Sequence, residues 1–255
     1  MVGGLASTSL PEDEKPGILI DVGTNGEMML GNSAGFTSCS TATGPAFEGS
    51  GISCGTTYGD GIIHHLTFDR VWKPEANGSG SLHGICGSGL ADFLSESRRA
   101  GFLDESGRIP ASPPPLLRPY IRRTDKDVRV RVSGNVFVTD ADVRRLQLAK
   151  AAVRAGTDIL LAEAGLTPGD VDRVLIAGGF GSGLRPASVT GMGMLPREWE
   201  NKMTFVGNSS LEGASRCLTE PDFRHRVAAL CRNSSNVQLS GNPAFEDAFV
   251  KAMSF

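Results

Sequence analysis

The chain has 255 residues, 40% of them hydrophobic, and a formal charge of −3 at neutral pH. That length and apolar content suffice for a sizeable core, as one large domain or two small lobes, and exclude a disordered chain. Charge near balance, with no long block of one sign, gives no support to a nucleic-acid or membrane-surface role and leaves small molecules and proteins as partners. No apolar run reaches the roughly 18 residues of a membrane span. Residues 1–10 lack the basic start and long apolar centre of a secretory signal, so a cytoplasmic protein is expected.

Residues 1–17 form a polar, proline-containing lead-in to a predicted strand over 18–21, and a second strand over 27–31 returns from a hairpin. Asn25-Gly26 between two apolar runs is a strong hairpin signal, because both residues tolerate the positive φ of a tight turn. Gly23 and Gly26 let backbone N–H groups approach an anion, Thr24 adds a hydroxyl, and Asp21 at the strand end is suited to Mg²⁺ or its water. Ordinary turn chemistry accounts for the same residues, so a plain surface turn stays open.

A third strand is expected over 36–43, ending at Gly44-Pro45 and completing a meander. From Ala46-Phe47-Glu48-Gly49 the chain is glycine-rich through Gly61, which argues against a regular helix. His64-His65 then looks like a metal handle. Neighbours in an extended segment point to opposite faces, however, and no cysteine or carboxylate lies at ligand spacing, so both are expected to be structural or surface residues. Residues 84–94 read as a glycine turn entering a helix that stops near Gly101. Its glycines suit either an anion at the helix start or close helix packing.

Residues 110–119 contain five prolines and form a stiff connection. A second hairpin pairs 128–132 with 136–138 across Ser133-Gly134-Asn135. Thr139 caps a helix predicted to reach Ala164, with Val143, Leu146, Ala149, Val153, Leu160 and Leu161 as its core stripe. After a single helical turn at 167–170, the buried strand 174–177 empties into Gly178-Gly179-Phe180-Gly181-Ser182-Gly183. Open α/β sheets bind ligands at such strand ends, where the backbone can lie against a nucleotide, although a tight strand-to-helix turn has the same composition. Residues 203–208 repeat the pattern and lead into a helix from Ser209 or Ser210 through Leu218, for which Asn208 and Ser209 are good capping types.

The five cysteines, Cys39, Cys54, Cys86, Cys217 and Cys231, are odd in number, scattered, and never in a Cys-x-x-Cys pair. This argues against a zinc site, an iron–sulfur cluster or a disulfide framework, and for reduced, mostly buried thiols.

The order of these elements resembles that of one half of the acetate and sugar kinase, heat-shock ATPase and actin superfamily. Ile20-Asp21-Val22-Gly23-Thr24-Asn25-Gly26-Glu27, Gly44-Pro45-Ala46-Phe47-Glu48-Gly49, Gly84-Ile85-Cys86-Gly87-Ser88-Gly89-Leu90, the run from Leu146 to Gly156, and Ala177-Gly178-Gly179-Phe180-Gly181 closely resemble the C-terminal region of reductive activators of corrinoid-dependent enzymes. The similarity runs from about Ile18 to Phe255. It implies an α/β fold, one half of an actin-like ATPase, with a mixed five-stranded sheet, flanking helices and an inserted α+β subdomain. The expected divisions are a lead-in at 1–17, a discontinuous nucleotide-binding lobe at 18–45 and 160–255, and the insertion at 46–159.

In that family, ATP hydrolysis drives electrons from a [2Fe-2S] cluster to cob(II)alamin and restores the cob(I)alamin state of a corrinoid protein or methyltransferase. The resemblance implies ATP and Mg²⁺ as ligands, with Asp21 holding the metal-water and Gly23, Thr24, Asn25 and Gly26 cradling phosphate. Gly178, Gly179, Phe180 and Gly181 would form the adenosine-side loop. Glu48 is placed either to orient the attacking water or to serve as a simple helix-start carboxylate. The family's cluster-binding cysteine motif and a second phosphate hairpin are absent from the sequence. The chain is therefore expected to be a C-terminal piece whose partners are a corrinoid protein and the family's N-terminal half, with a homodimer allowed. Two other readings stay open: a corrinoid-protein docking module without nucleotide, and a small-molecule kinase lobe.

Overall fold

A computed structural model describes residues 1–78, 80–179 and 183–255. In chain order its strands are β1 (Gly17–Val22), β2 (Gly26–Asn32), β3 (Gly35–Thr41), β4 (Ile62–Asp69), β5 (Val71–Ala76), β6 (Gly84–Ile85), β7 (Ile121–Arg123), β8 (Val128–Ser133), β9 (Val136–Thr139), β10 (Arg173–Ala177), β11 (Met203–Gly207) and β12 (Ser234–Asn236). Its α-helices are α1 (Val2–Ala6), α2 (Gly87–Ala100), α3 (Asp140–Glu163), α4 (Pro186–Gly191), α5 (Ser209–Thr219), α6 (Pro221–Arg232) and α7 (Pro243–Ala252).

A strand as continuously apolar as Ile18-Leu19-Ile20 must be covered on both faces, which puts it inside a sheet rather than at an edge. β1 lies there, antiparallel to β2 and parallel to β10, in a sheet of order β11-β10-β1-β2-β3-β12. Ile18, Ile20, Val22, Met28 and Leu30 bury one face, the side on which α3 packs. Leu19, Met29 and Leu175 bury the other, where Leu5 and Leu10 of the lead-in close it. The mixed α/β architecture is as expected, with one strand more than the five anticipated: β12 adds parallel to β3 through Ser234↔Phe36 to Asn236↔Ser38.

α3 begins at a capping box in which Thr139 Oγ1 accepts from Asp142 N and Asp142 Oδ2 accepts from Thr139 N. All six residues of its expected stripe are buried. The buried Asp142 also accepts from Ser53 N at 3.1 Å, which pins the glycine-rich stretch to the helix start.

Two small sheets, β5-β4-β6 and β7-β8-β9, are formed by the sequence that runs from β3 to α3. Phe68, Trp72, Phe93, Phe102 and Tyr120 pack edge-to-face and stacked beside them. α2 lies so close on β4 that a Cβ at Gly89 would sit 2.7 Å from the Ile63 carbonyl oxygen, so this glycine serves close packing.

The expectation that His64 and His65 point to opposite faces fails for a specific reason. The pairing of β4 with β5 steps from Ile63↔Ala76 directly to His65↔Glu75, a β-bulge with two residues opposite one. The bulge breaks the alternation, and the two imidazoles lie with ring centroids 5.3 Å apart. Among the described residues no helix is long and apolar enough to cross a membrane.

Candidate functional site

Pairing of Asp21 with Glu27 and Val22 with Gly26 leaves Gly23-Thr24-Asn25 as the loop of the β1–β2 hairpin. The hairpin forms without the anticipated positive φ, since neither Asn25 nor Gly26 is left-handed. Glycine is required at position 26 for space: a Cβ would lie 2.8 Å from Thr43 Oγ1 and 2.9 Å from Thr41 Oγ1. Loop shape comes from Gly23 N donating to the Asn25 carbonyl at 3.0 Å and Gly44 N donating to the Thr24 carbonyl at 2.7 Å. Thr24 and Asn25 are exposed at the tip, and their N–H groups carry no backbone hydrogen bond among the described residues.

Asp21 is half-buried where β1 lies between β2 and β10. Ser210 Oγ, at the start of α5, donates to its Oδ2 at 2.6 Å. Gly178 follows β10 with φ +110°, and a Cβ there would meet the Val22 carbonyl oxygen at 2.2 Å and Asp21 Oδ1 at 3.1 Å. Its N–H donates to the Gly207 carbonyl at 3.0 Å, so the ends of β1, β10 and β11 are drawn together around Asp21. Glu48 closes a short 3-10 turn, Ala46–Glu48, and its carboxylate accepts from Thr24 Oγ1 at 3.1 Å to each oxygen. The Thr24 hydroxyl, expected to face phosphate, is engaged there instead.

Beside this junction opens a cleft of about 680 Å³, within the range that holds small-molecule ligands. Of the residues singled out from sequence, Gly23, Glu48 and Gly179 line it. Asp21 and Gly178 lie one residue behind that lining, Thr24 and Asn25 stand at the hairpin tip, and Gly26 is buried. Phe180 and Gly181 lie outside the described residues.

The far wall was only partly anticipated from sequence, through the glycine turn at 84–90. It carries Tyr58, His64, His65, Cys86 and Ser88. Behind it Asp92 of α2 is 1% exposed and accepts from Leu66 N at 3.0 Å, from His65 Nδ1 at 3.0 Å and from Ser188 Oγ. Arg185 bridges outward, with Nη1 3.7 Å from Asp92 Oδ2 and Nη2 3.0 Å from Glu75 Oε1. That hydrogen bond holds the Glu75 carboxyl below the usual carboxylate range. The sequence signals for this wall were the His64-His65 pair and the glycine turn at 84–90, whose Cys86, Gly87 and Ser88 line the cleft, while the bulge depends on pairing with β5.

All five cysteines are free thiols. Burial pushes the Cys39 thiol up to about 12, which makes it an inert core residue. Among the described residues no three His, Cys, Asp or Glu side chains converge as a metal-holding group.

A family model described as the C-terminal domain of RACo, the ASKHA domain, matches residues 15–255. A solved structure, the reductive activator for corrinoid,iron-sulfur protein, superposes with a TM-score of 0.90 at 36% identity, covering 100% of this chain and 42% of that one. The corrinoid activation enzyme RamQ of Eubacterium limosum is 28% identical over 260 residues, 94% of this chain and 43% of the relative. The [Co(II) methylated amine-specific corrinoid protein] reductase of Methanosarcina barkeri is 21% identical over 266 residues, again 94% of this chain and 46% of the relative. The chain thus spans less than half the length of the relatives it matches.

Proposed function

From the premise that this chain belongs to the RACo C-terminal family, whose fold is the actin-like ASKHA domain, we propose that it is the nucleotide-binding lobe of an ATP-dependent reductive activator that restores the cob(I)alamin state of a corrinoid protein. The observation that carries this reading is the junction of strand ends, where Asp21 and the two glycines after β10 meet beside one cleft. The residues present fit a magnesium nucleotide. Asp21 has one oxygen steadied by Ser210 and the other directed toward Gly178, where a side chain cannot enter. A cation with one such carboxylate keeps most of its waters, as Mg²⁺ does.

In this reading Asp21 would hold Mg²⁺ through water, and the hairpin N–H groups at Thr24 and Asn25 would donate to phosphate. Gly23 and Gly26 shape the hairpin around them. Gly178 and Gly179 form the adenosine side. Bound Mg²⁺ supplies neutralisation of phosphate charge. Glu48, held by the Thr24 hydroxyl at the cleft edge, orients water. The corrinoid partner is inferred from the relatives' names.

Calorimetric titration of the chain with ATP and Mg²⁺ tests the reading. Binding is expected, and Asp21→Ala should weaken it at least about tenfold, or about 1.4 kcal/mol. Absence of nucleotide binding together with capture of a corrinoid protein would establish a docking module instead. Phosphoryl transfer needs charge stabilisation from several sides, so the chain alone should turn over ATP slowly. Rapid multiple turnover that Asp21→Ala abolishes would contradict that expectation.

A further inference from the structure

The far wall of the cleft contains a histidine whose orientation is determined by a buried carboxylate. A carboxylate only accepts hydrogen bonds, so the ring nitrogen 3.0 Å from Asp92 Oδ2 is the donor, and in the neutral ring this contact puts the proton on Nδ1 and the lone pair on Nε2. Asp92 cannot swing away, because Leu66 N and Ser188 Oγ also hold it. On the outer side Arg185 ties Asp92 to Glu75. The His65 side chain lines the cleft and is 20% exposed while the Asp92 side chain is 2% exposed, so the ring is accessible and its support is sealed.

Two further observations point the same way. The β-bulge at His64 brings both imidazoles to the cleft, at the cost of one unpaired position in the β4–β5 ladder, and bulges commonly re-aim side chains beside active sites. The neighbouring ring has Nδ1 buried without a partner among the described residues, an acceptor or donor left for something that enters the cleft.

We infer that His65 is a catalytic proton acceptor in this cleft and Asp92 its positioning residue. The inference rests on the nucleotide reading above. Water attacks the γ-phosphorus, a new P–O bond forms, and the bond to the bridging oxygen breaks with its electron pair leaving on ADP. The water proton passes to His65 Nε2. Asp92 stabilises the resulting imidazolium through Nδ1–H, and the proton is then released to phosphate or solvent. Glu48 is less suited to accept that proton: it is exposed, and both its oxygens lie against the Thr24 hydroxyl. Positioned proton transfer of this kind contributes about 10²–10⁴-fold to rate.

The test combines single-turnover hydrolysis of γ-labelled ATP, with the chain in excess, nucleotide titration, and imidazole NMR. In the free chain, ¹H–¹⁵N spectra should show His65 as the Nδ1–H tautomer; the Nε2–H tautomer would overturn the inference. His65→Ala should keep nucleotide affinity within about threefold of wild type and slow hydrolysis about a hundredfold. Added imidazole should restore at least a tenth of the lost rate, which a purely structural role would not allow. Asp92→Asn should likewise retain binding and lose rate, and its thermal melt checks folding. Wild-type hydrolysis in His65→Ala overturns the proposal, as does a wild-type chain that binds ATP yet cleaves none. Failure of the wild-type chain to bind ATP would instead sink the nucleotide reading itself.

Discussion

Gly178→Ala is expected to destabilise the chain by about 4 kcal/mol, near the upper end of single-substitution effects. Two independent costs combine. At φ +110° only glycine is at ease, and a Cβ there carries a backbone penalty of about 1–3 kcal/mol. The same Cβ would lie 2.2 Å from the Val22 carbonyl oxygen, so β1 and β10 could stay paired only by moving apart where Asp21 sits. Gly179→Ala provides the contrast, since its Cβ meets no described atom within 4 Å and the residue lines the cleft. It should leave stability within about 0.5 kcal/mol while weakening nucleotide binding by intruding on the cleft. Urea unfolding of both variants, read beside ATP titration, separates the roles. Equal stability of the two proteins would show that the strand ends are not held together as described.

This contrast marks how far the sequence could be read. β1, β2 and β10 were legible because apolar residues on both faces leave a strand few places other than a covered sheet, β3 because it runs to the Gly44-Pro45 break, and α3 because its stripe and Thr139–Asp142 cap agree. Gly23, Glu48 and Gly179 line one cleft, with Asp21 one residue behind its lining. β12 was not legible: Ser234-Ser235-Asn236 has no apolar period, and it becomes a strand only by docking on β3. Ser210 looked like a helix start, and its bond to Asp21 spans 189 positions of sequence. The His65–Asp92 pair was hidden by a sound rule applied to an irregular strand, because alternation fails where a bulge inserts a residue. The hairpin shows the converse, a correct turn reached through a wrong reason, since Gly26 is required by the hydroxyls of Thr41 and Thr43 rather than by its dihedral angle.

Lys150→Met should change how stability depends on pH by about 3 kcal/mol. Lys150 lies in the middle of α3 with a fully buried side chain. Its Nζ donates to the carbonyl oxygens of Ala252, at 2.9 Å, and of Ser254, and stands 4.5 Å from the centre of the Phe255 ring. With Gln147, whose Nε2 donates to the Met253 carbonyl at 2.8 Å, it latches the segment after α7 onto α3. Burial, aided by repulsion from Arg154 and Arg98, lowers the Lys150 pKa from 10.5 to about 8. Between those values the unfolded chain binds the proton that the folded chain has released. Folding stability from this group therefore rises as pH increases from about 8 to 10.5, is fully present above that range, and is lost as pH falls through 8. At about 1.4 kcal/mol per pH unit the full difference is about 3 kcal/mol. Lys150→Met removes the titration while keeping most of the side-chain volume. Unfolding free energies of the two proteins, measured from pH 7 to pH 10.5, should diverge in favour of wild type as pH rises, with most of the change above pH 8. Parallel profiles would mean that water reaches the ammonium and that the latch is held by Gln147 and Phe255 alone.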